Sequence, residues 1–265
     1  MSPTPVTVVT LPTGASASVL LPPSPPPTGK PTGVVVVQEW WGVTPEIIGH
    51  ADTLSRMGHV ALIPDLYRGT STVDKEEASH LMGHLDFAVA AGEIADAAQV
   101  LRAAPYHCQR VAVLGFCMGG ALAVLSAGSG GTGTETSSPP TGSPVDAVVC
   151  FYGTPGAIPA AVKDGQVPLQ GHFGMNDSMA GFSDPEAART LAQAAGVPVV
   201  VGKEGEENEP TPAVYMYEGE THGFMNPVNE RMEGIRKQME FTDPHPENQA
   251  LAWKRVDAFL KRTLE

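Results

Sequence analysis

The amino-acid sequence predicts an α/β fold, a three-layer sandwich whose mostly parallel, doubly wound sheet carries an antiparallel N-terminal edge. Three observations predict it. Compact β-branched runs alternate with helix-period segments, the pattern of βα units laid side by side. The first two runs are separated by little more than Thr13-Gly14, too short for a crossover helix, so they pair antiparallel. A length of 265 residues with 42% hydrophobic composition suffices for one core, so residues 1–265 are read as one domain.

In chain order, the predicted strands are 7–11 and 17–21 at the antiparallel edge, then 33–38, 60–64, 110–114, 147–151, 169–173 and 214–218. Helices are predicted between them at 45–57, 75–85, 89–103, 119–127 and 185–194, and finally at 246–263. The last is the best marked, with Leu251, Val256, Phe259 and Leu260 on one stripe.

Three segments interrupt this pattern. Residues 22–31 are proline-rich, which reads as a stiff surface loop sooner than as a PxxP ligand. Residues 128–144 are a low-complexity insert, and residues 202–212 an acidic loop. In a parallel sheet the loops leaving strand C-terminal ends form the functional edge. All three segments run into predicted strands, so they are expected at the opposite edge. The insert opens with a formal GxGxxG match at 128–133, but it follows a helix and leads into a Ser/Thr/Pro tract. A dinucleotide loop must follow a strand and open a helix, so the match is rejected.

Charge excludes some partners. Sixteen Lys+Arg stand against 29 Asp+Glu, a net charge of −13 with no basic cluster to offset it. Such a chain repels nucleic-acid phosphates and anionic membrane surfaces. Cys108, Cys117 and Cys150 are too few and too scattered for a disulfide framework or a metal knuckle. With no signal-peptide pattern and no apolar run of membrane-spanning length, the expectation is a soluble, cytoplasmic monomer.

The chemistry is concentrated at residues 110–120, RVAVLGFCMGG. A β-branched run ends in Gly115-Phe116-Cys117-Met118-Gly119, and a small-residue helix follows. This is the nucleophile-elbow pattern GxSxG with Cys in place of Ser. The flanking glycines suit a tight strand-to-helix turn that strains the middle residue and lifts Sγ above the sheet edge. There the helix N-terminus favours an anion. Taken alone, a buried structural cysteine in an ordinary turn explains the motif as well.

Two partners decide between these readings. Asp177 follows a strand end 60 positions after Cys117, and His222 follows the next strand end 45 positions later. Nucleophile, acid and histidine thus stand in the order that the elbow fold supplies. Asp177 alone could be a turn aspartate and His222 alone a surface histidine, but the three together favour chemistry.

At this point the sequence resembles a known family. Gln38-Glu39-Trp40-Trp41-Gly42-Val43, Pro64-Asp65-Leu66-Tyr67-Arg68-Gly69, the elbow, Phe151-Tyr152-Gly153 and Thr221-His222-Gly223-Phe224 are similar to segments of the dienelactone hydrolases (carboxymethylenebutenolidases). The similarity runs in order from about residue 33 to the C-terminal helix. It implies an α/β-hydrolase fold and a Cys117–His222–Asp177 triad, with His222 as general base and Asp177 holding its tautomer. It also implies an oxyanion hole built from the backbone N–H groups of Trp40 and Met118. Glu39 would then be an additional catalytic carboxylate that opposes thiolate formation until substrate displaces it. The alternative for Glu39 is a strand-end residue paired with Arg68.

A thiol nucleophile narrows the substrates. Thiolate is expelled from a tetrahedral intermediate more readily than alkoxide, so amides are poor substrates, while lactones, activated esters and thioesters fit. The bacterial enzymes of the family clamp a substrate carboxylate with two arginines. Here Asn226 stands four residues after His222, and no arginine occurs between Arg68 and Arg102. Trp41, Tyr67, Arg68, Tyr152, Phe224, Met225 and Asn226, all on loops of the functional edge, are therefore expected to form a more apolar pocket.

No cofactor and no metal are expected. His80 and His84 stand at i,i+4 but lack the HExxH glutamate. His172 reads as a core histidine, Cys150 as a buried small hydrophobe, and Cys108 as lying at the far edge. The partner is a small-molecule ester or lactone. A binding protein on a retained hydrolase fold, or an acyltransferase using the same three residues, remains open.

Overall fold

The computed structural model describes residues 4–25, 29–129, 143–202 and 211–265. Its centre is a nine-stranded sheet in the order β1-β2-β4-β3-β5-β6-β7-β9-β8. β1 (Val6–Thr10), β2 (Ser16–Leu20) and β4 (Val60–Pro64) pair antiparallel, and all other pairings are parallel. The predicted class is thus observed. β3 (Thr32–Val37) is the clearest case of sequence dictating place. Its run of four valines is buried throughout, as a central parallel strand between β4 and β5 (Arg110–Phe116) must be.

On one side of the sheet α1 (Pro45–Arg56) packs on β3 and β4, and α8 (Pro246–Leu264) packs on β5 (Arg110–Phe116), β6 (Ala147–Phe151) and β7 (Leu169–Gly174). The two helices meet where His50 and Trp253 face each other, 5.7 Å between ring centres. α3 (Phe87–Arg102) and α4 (Met118–Ser126) pack on each other and on the central strands. α6 (Pro185–Ala195) covers β7 and β9 (Val214–Tyr217). Local signals set the helix starts: Thr44, Asp74, Asp86 and Asp184 each cap their helix by accepting a backbone N–H, with Asp74 opening α2 (Lys75–Gly83).

Three elements escaped the sequence reading. The short α5 (Ala160–Lys163) and the edge strand β8 (Val199–Val201) are too brief to show a period. α7 (Glu230–Met239) is charged almost all round, with Met232, Ile235 and Arg236 its buried residues. Asn229 accepts from Met232 N–H at its N-terminus, the one local signal that could have revealed it.

The insert 128–144 lies mostly outside the described residues, as do the middle of 22–31 and most of 202–212. The insert leaves the C-terminus of α4 and enters β6, at the edge away from Cys117. The acidic segment departs from that placement at one end. Because β8 runs parallel to β9, residue 202 leaves a strand C-terminal end before the chain returns to the start of β9.

Candidate active site

Cys117 sits between β5 and α4 with φ 54° and ψ −121°, a backbone conformation that side chains other than glycine rarely adopt. The turn is over-determined by its surroundings. Cys117 N–H bonds to the Phe151 carbonyl at 3.0 Å, and its carbonyl accepts from Gly120 N–H at 2.8 Å. A side chain on Gly115 would overlap the Gly119 carbonyl, and one on Gly119 would overlap the Gln38 and Val37 carbonyls. The GxCxG spacing is therefore a steric requirement of threading the elbow past β3. It leaves Cys117 buried at 7% exposure and on the wall of a cavity.

The neighbouring strand ends deliver the other two groups. Asp177 follows β7, and its Oδ2 lies 2.8 Å from His222 Nδ1, in the loop after β9. Ser183 Oγ stands 3.0 Å from the same nitrogen, and Met179 N–H donates to Asp177 Oδ1 at 3.0 Å. An acceptor at Nδ1 fixes the tautomer, so Nδ1 carries the proton and Nε2 offers its lone pair. Nε2 is buried and has no hydrogen-bond partner, so it is left to exchange a proton with a group in the cavity.

Electrostatics couple the three residues. Burial alone would lower the His222 pKa, but the neighbouring Cys117 and Asp177 outweigh it and raise the value above normal. For Asp177, burial pushes upward and is overcome by His222 and by the Met179 and Ser183 donors, so its carboxyl is held low. Asp177 thus stays ionised while the proton resides on imidazole. Ser183 was missed in the sequence, where a lone serine beside an aspartate carries no distinguishing pattern.

Glu39 is buried at the end of β3 and faces no arginine, because Arg68 turns away to pair with Glu93 on α3. Asn226 Nδ2 donates to both Glu39 oxygens, at 3.0 and 3.2 Å, and the Tyr152 hydroxyl donates at 3.3 Å. Neutral partners do not cancel the cost of burial, which raises the Glu39 pKa despite the opposing charge of His222.

The cavity itself has a volume of about 160 Å³. Glu39, Trp40, Trp41, Cys117, His222 and Asn226 line it. The remaining wall is apolar and rich in thioethers: Met82, Met179, Met232 and Met239, with Phe182, Ile235 and Phe241 beside them. Four of these come from α7 and the segment just after it, so the unpredicted helix builds much of the pocket. Trp41, Ala78, Met232 and Ile235 form a small apolar cluster of their own, apart from the main core. Arg236 also lines the cavity. It pairs with Asp243 at 2.8 Å and donates to the Pro227 carbonyl at 3.1 Å, while its Nη2 is buried without a partner.

Five pocket residues expected from sequence are not on this wall. Tyr67 and Arg68 line a separate shallow groove against α2. The Tyr67 hydroxyl donates to Met118 Sδ at 3.3 Å beneath the elbow. Tyr152 and Phe224 are buried in a stack of rings with Phe151, and Met225 faces a groove beside α1 and α8. In the turn after β9, Gly223 and Asn226 reach the cavity while Phe224 and Met225 are buried away from it.

The remaining candidates lie elsewhere. His172 is fully buried between Tyr217 hydroxyl and Gln170, at 2.8 and 3.0 Å. His80 and His84 stack on the surface of α2. Cys108 and Cys150 are buried. Among the described residues no group of three or more His, Cys, Asp or Glu could hold a metal ion, and no helix is long and apolar enough to cross a membrane.

The family model for the dienelactone hydrolase family matches residues 16–264, nearly the whole chain. The chain belongs to the dienelactone hydrolase family. Carboxymethylenebutenolidase 1 of Cupriavidus pinatubonensis is 35% identical over 36% of this chain and 47% of its own length. The chain thus spans about half the length of that relative in the match. Protein usf of Aquifex pyrophilus is 27% identical over 90% of this chain and 91% of its own. Among solved structures, a dienelactone hydrolase-like promiscuous phosphotriesterase from metagenomic libraries superposes over 100% of both chains, with TM-score 0.72 and 18% identity. Apo Thermogutta terrifontis esterase 2 covers 99% of this chain and 95% of its own at TM-score 0.59 and 18% identity. At such identity these two likenesses speak for the fold, the α/β-hydrolase fold of the dienelactone hydrolase family.

Proposed function

We propose that the protein is a carboxylic-ester hydrolase that opens small lactones or esters through an acyl-cysteine intermediate on Cys117. The observation that carries this reading is the convergence of a strained Cys117, a Nε2-accepting His222 and an ionised Asp177 on the wall of one apolar cavity. Three residues from three separate loops have no packing reason to meet in that order. Membership of the dienelactone hydrolase family supports the same reaction class.

In this mechanism His222 Nε2 takes the thiol proton, and Asp177 stabilises the imidazolium that results. The thiolate attacks the ester carbonyl. The backbone N–H groups of Trp40 and Met118 are assigned to the resulting oxyanion. Neither bonds to a backbone or side-chain acceptor among the described residues, which supports the assignment. Collapse expels the alkoxide, which His222 protonates. Water, deprotonated by His222, then attacks the thioester, releasing the acid and restoring the thiol.

The cavity limits the substrate. A space of about 160 Å³ is comparable to the roughly 150 Å³ apolar cavity that admits benzene. Thioether and aromatic walls favour a flat or flexible apolar group of that size. The unpartnered Arg236 Nη2 supplies a donor for one oxygen remote from the scissile bond. The test is steady-state hydrolysis of p-nitrophenyl acetate by wild type and by Cys117→Ala. Turnover that vanishes in the variant is the expected result. Turnover that survives it, or none in folded wild type, would overturn the proposal.

A further inference from the structure

Glu220 is completely buried, two residues before His222, and takes no part in the reaction just described. A buried carboxylate is costly unless something holds it in place, and this one has no lysine or arginine partner among the described residues. We propose that Glu220 is a positioning residue that locks the Asp177 and His222 loops to the start of α8. The proposal rests on the triad reading above and adds to it the element that keeps the triad in register.

The connections are specific. One carboxylate oxygen, Oε1, accepts from His245 N–H at 3.1 Å, from His245 Nδ1 at 3.1 Å and from Asn248 Nδ2 at 2.7 Å. These donors belong to the N-cap and first turn of α8, a 19-residue helix whose N-cap makes no side-chain capping bond of its own. The carboxylate therefore anchors the N-cap residue and the Asn248 side chain, at the positive end of the helix. The Glu220 main chain faces the other way: its carbonyl accepts from Asn176 N–H at 2.8 Å, one residue before Asp177. Asn248 adds a second tie, donating to the Glu218 carbonyl at 3.2 Å. One residue thereby joins the loop after β7, the loop after β9 and the helix that packs across β5, β6 and β7.

The arrangement is dearer than packing alone requires, because Glu220 Oε2 is buried without a hydrogen-bond partner. An apolar side chain of similar volume would avoid that cost but would give up the fixed distance between the loops. The gain is geometric. A triad hydrogen bond of 2.8 Å tolerates displacements of only tenths of an ångström, and catalysis is correspondingly sensitive to small misplacements.

The test compares Glu220→Ala, Glu220→Gln and Asn248→Ala with wild type in the full chain. Melting curves establish folding. Steady-state kinetics on p-nitrophenyl acetate separate kcat from KM. Proton NMR follows the low-field Nδ1 proton of His222, assigned by its loss in His222→Gln. In Glu220→Ala we expect kcat to fall about thirtyfold, which is about 2 kcal/mol, with KM within about twofold and the low-field proton shifted or broadened. Glu220→Gln keeps an acceptor for His245 N–H and Asn248 and should recover kcat to within about fivefold of wild type. Folded variants that only melt earlier, with kcat and the low-field proton unchanged, would show a purely structural role and overturn the proposal. Should Glu220→Ala not fold, Asn248→Ala decides by the same two readouts. The proton signal is independent of ester turnover. A wild type without turnover would sink the hydrolase reading, while a shifted signal in Asn248→Ala would still support the positioning role.

Discussion

Replacing Glu39 by Gln tests the electrostatics of the site at a single atom. The native carboxylate is buried, and its hydrogen bonds come from the neutral Asn226 and Tyr152 side chains. Burial raises its pKa above the ordinary 4.5, with His222 and those two donors opposing incompletely. The folded state therefore binds a proton more readily than the unfolded chain. As pH rises from 4.5 through the folded value, the unfolded state ionises first, so stability is progressively lost across that window and stays lower above it. Glu39→Gln removes this titration while its amide oxygen still accepts from Tyr152 and Asn226. The variant should be more stable than wild type at pH 8, on the order of the 1–3 kcal/mol that an under-compensated buried polar group costs. That corresponds to a Tm rise on the order of 2–4 °C per kcal/mol. Melting curves recorded from pH 4 to 9 should converge at the acid end and separate above it. Parallel curves, or a variant that melts earlier at pH 8, would refute the reasoning. The same variant reports on the Cys117 thiol: if Glu39 restrains it, the pH profile of its alkylation moves, and an unchanged profile removes that role.

Two further predictions concern the elbow and the insert. Gly119→Ala places a methyl group against the Gln38 and Val37 carbonyls, so it should destabilise the fold by about 3 kcal/mol and lower kcat/KM; a wild-type melting curve would contradict the steric account of the motif. The ends of the insert lie close together, since Ser143 Oγ donates to the Ala127 carbonyl at 2.9 Å and Ser129 N–H to Ser126 at 3.2 Å. Deleting residues 131–141 should therefore leave kcat/KM within about tenfold, or roughly 1.4 kcal/mol, and a larger loss would bring the insert into the site's workings.

How the sequence relates to the site differs from residue to residue. Cys117, Asp177 and His222 were legible because each depends on a local rule: a strained strand-to-helix turn, then two strand ends in a fixed order. Glu39 was legible as a strand-end carboxylate, but not its partner. Asn226, expected in the pocket, lines the cavity and in addition donates to Glu39. Ser183, Arg236 and Glu220 carried no signal, because their roles arise from residues distant in sequence: His222, Asp243 and the cavity, or His245 and Asn248.

By itself, then, the sequence determined the parallel sheet, its antiparallel edge and the order of Cys117, Asp177 and His222. Hydrophobic periodicity and backbone sterics act over a few residues and can be read along the chain. The shape and lining of the pocket were decided only by tertiary structure. α7 is too polar to announce itself, and it becomes a pocket wall because Met232 and Ile235 find Trp41 and Ala78 across the site. Which residues of one turn face the cavity and which face the core, as with Asn226 and Phe224, is likewise set by packing between elements distant in the chain, where no local period operates.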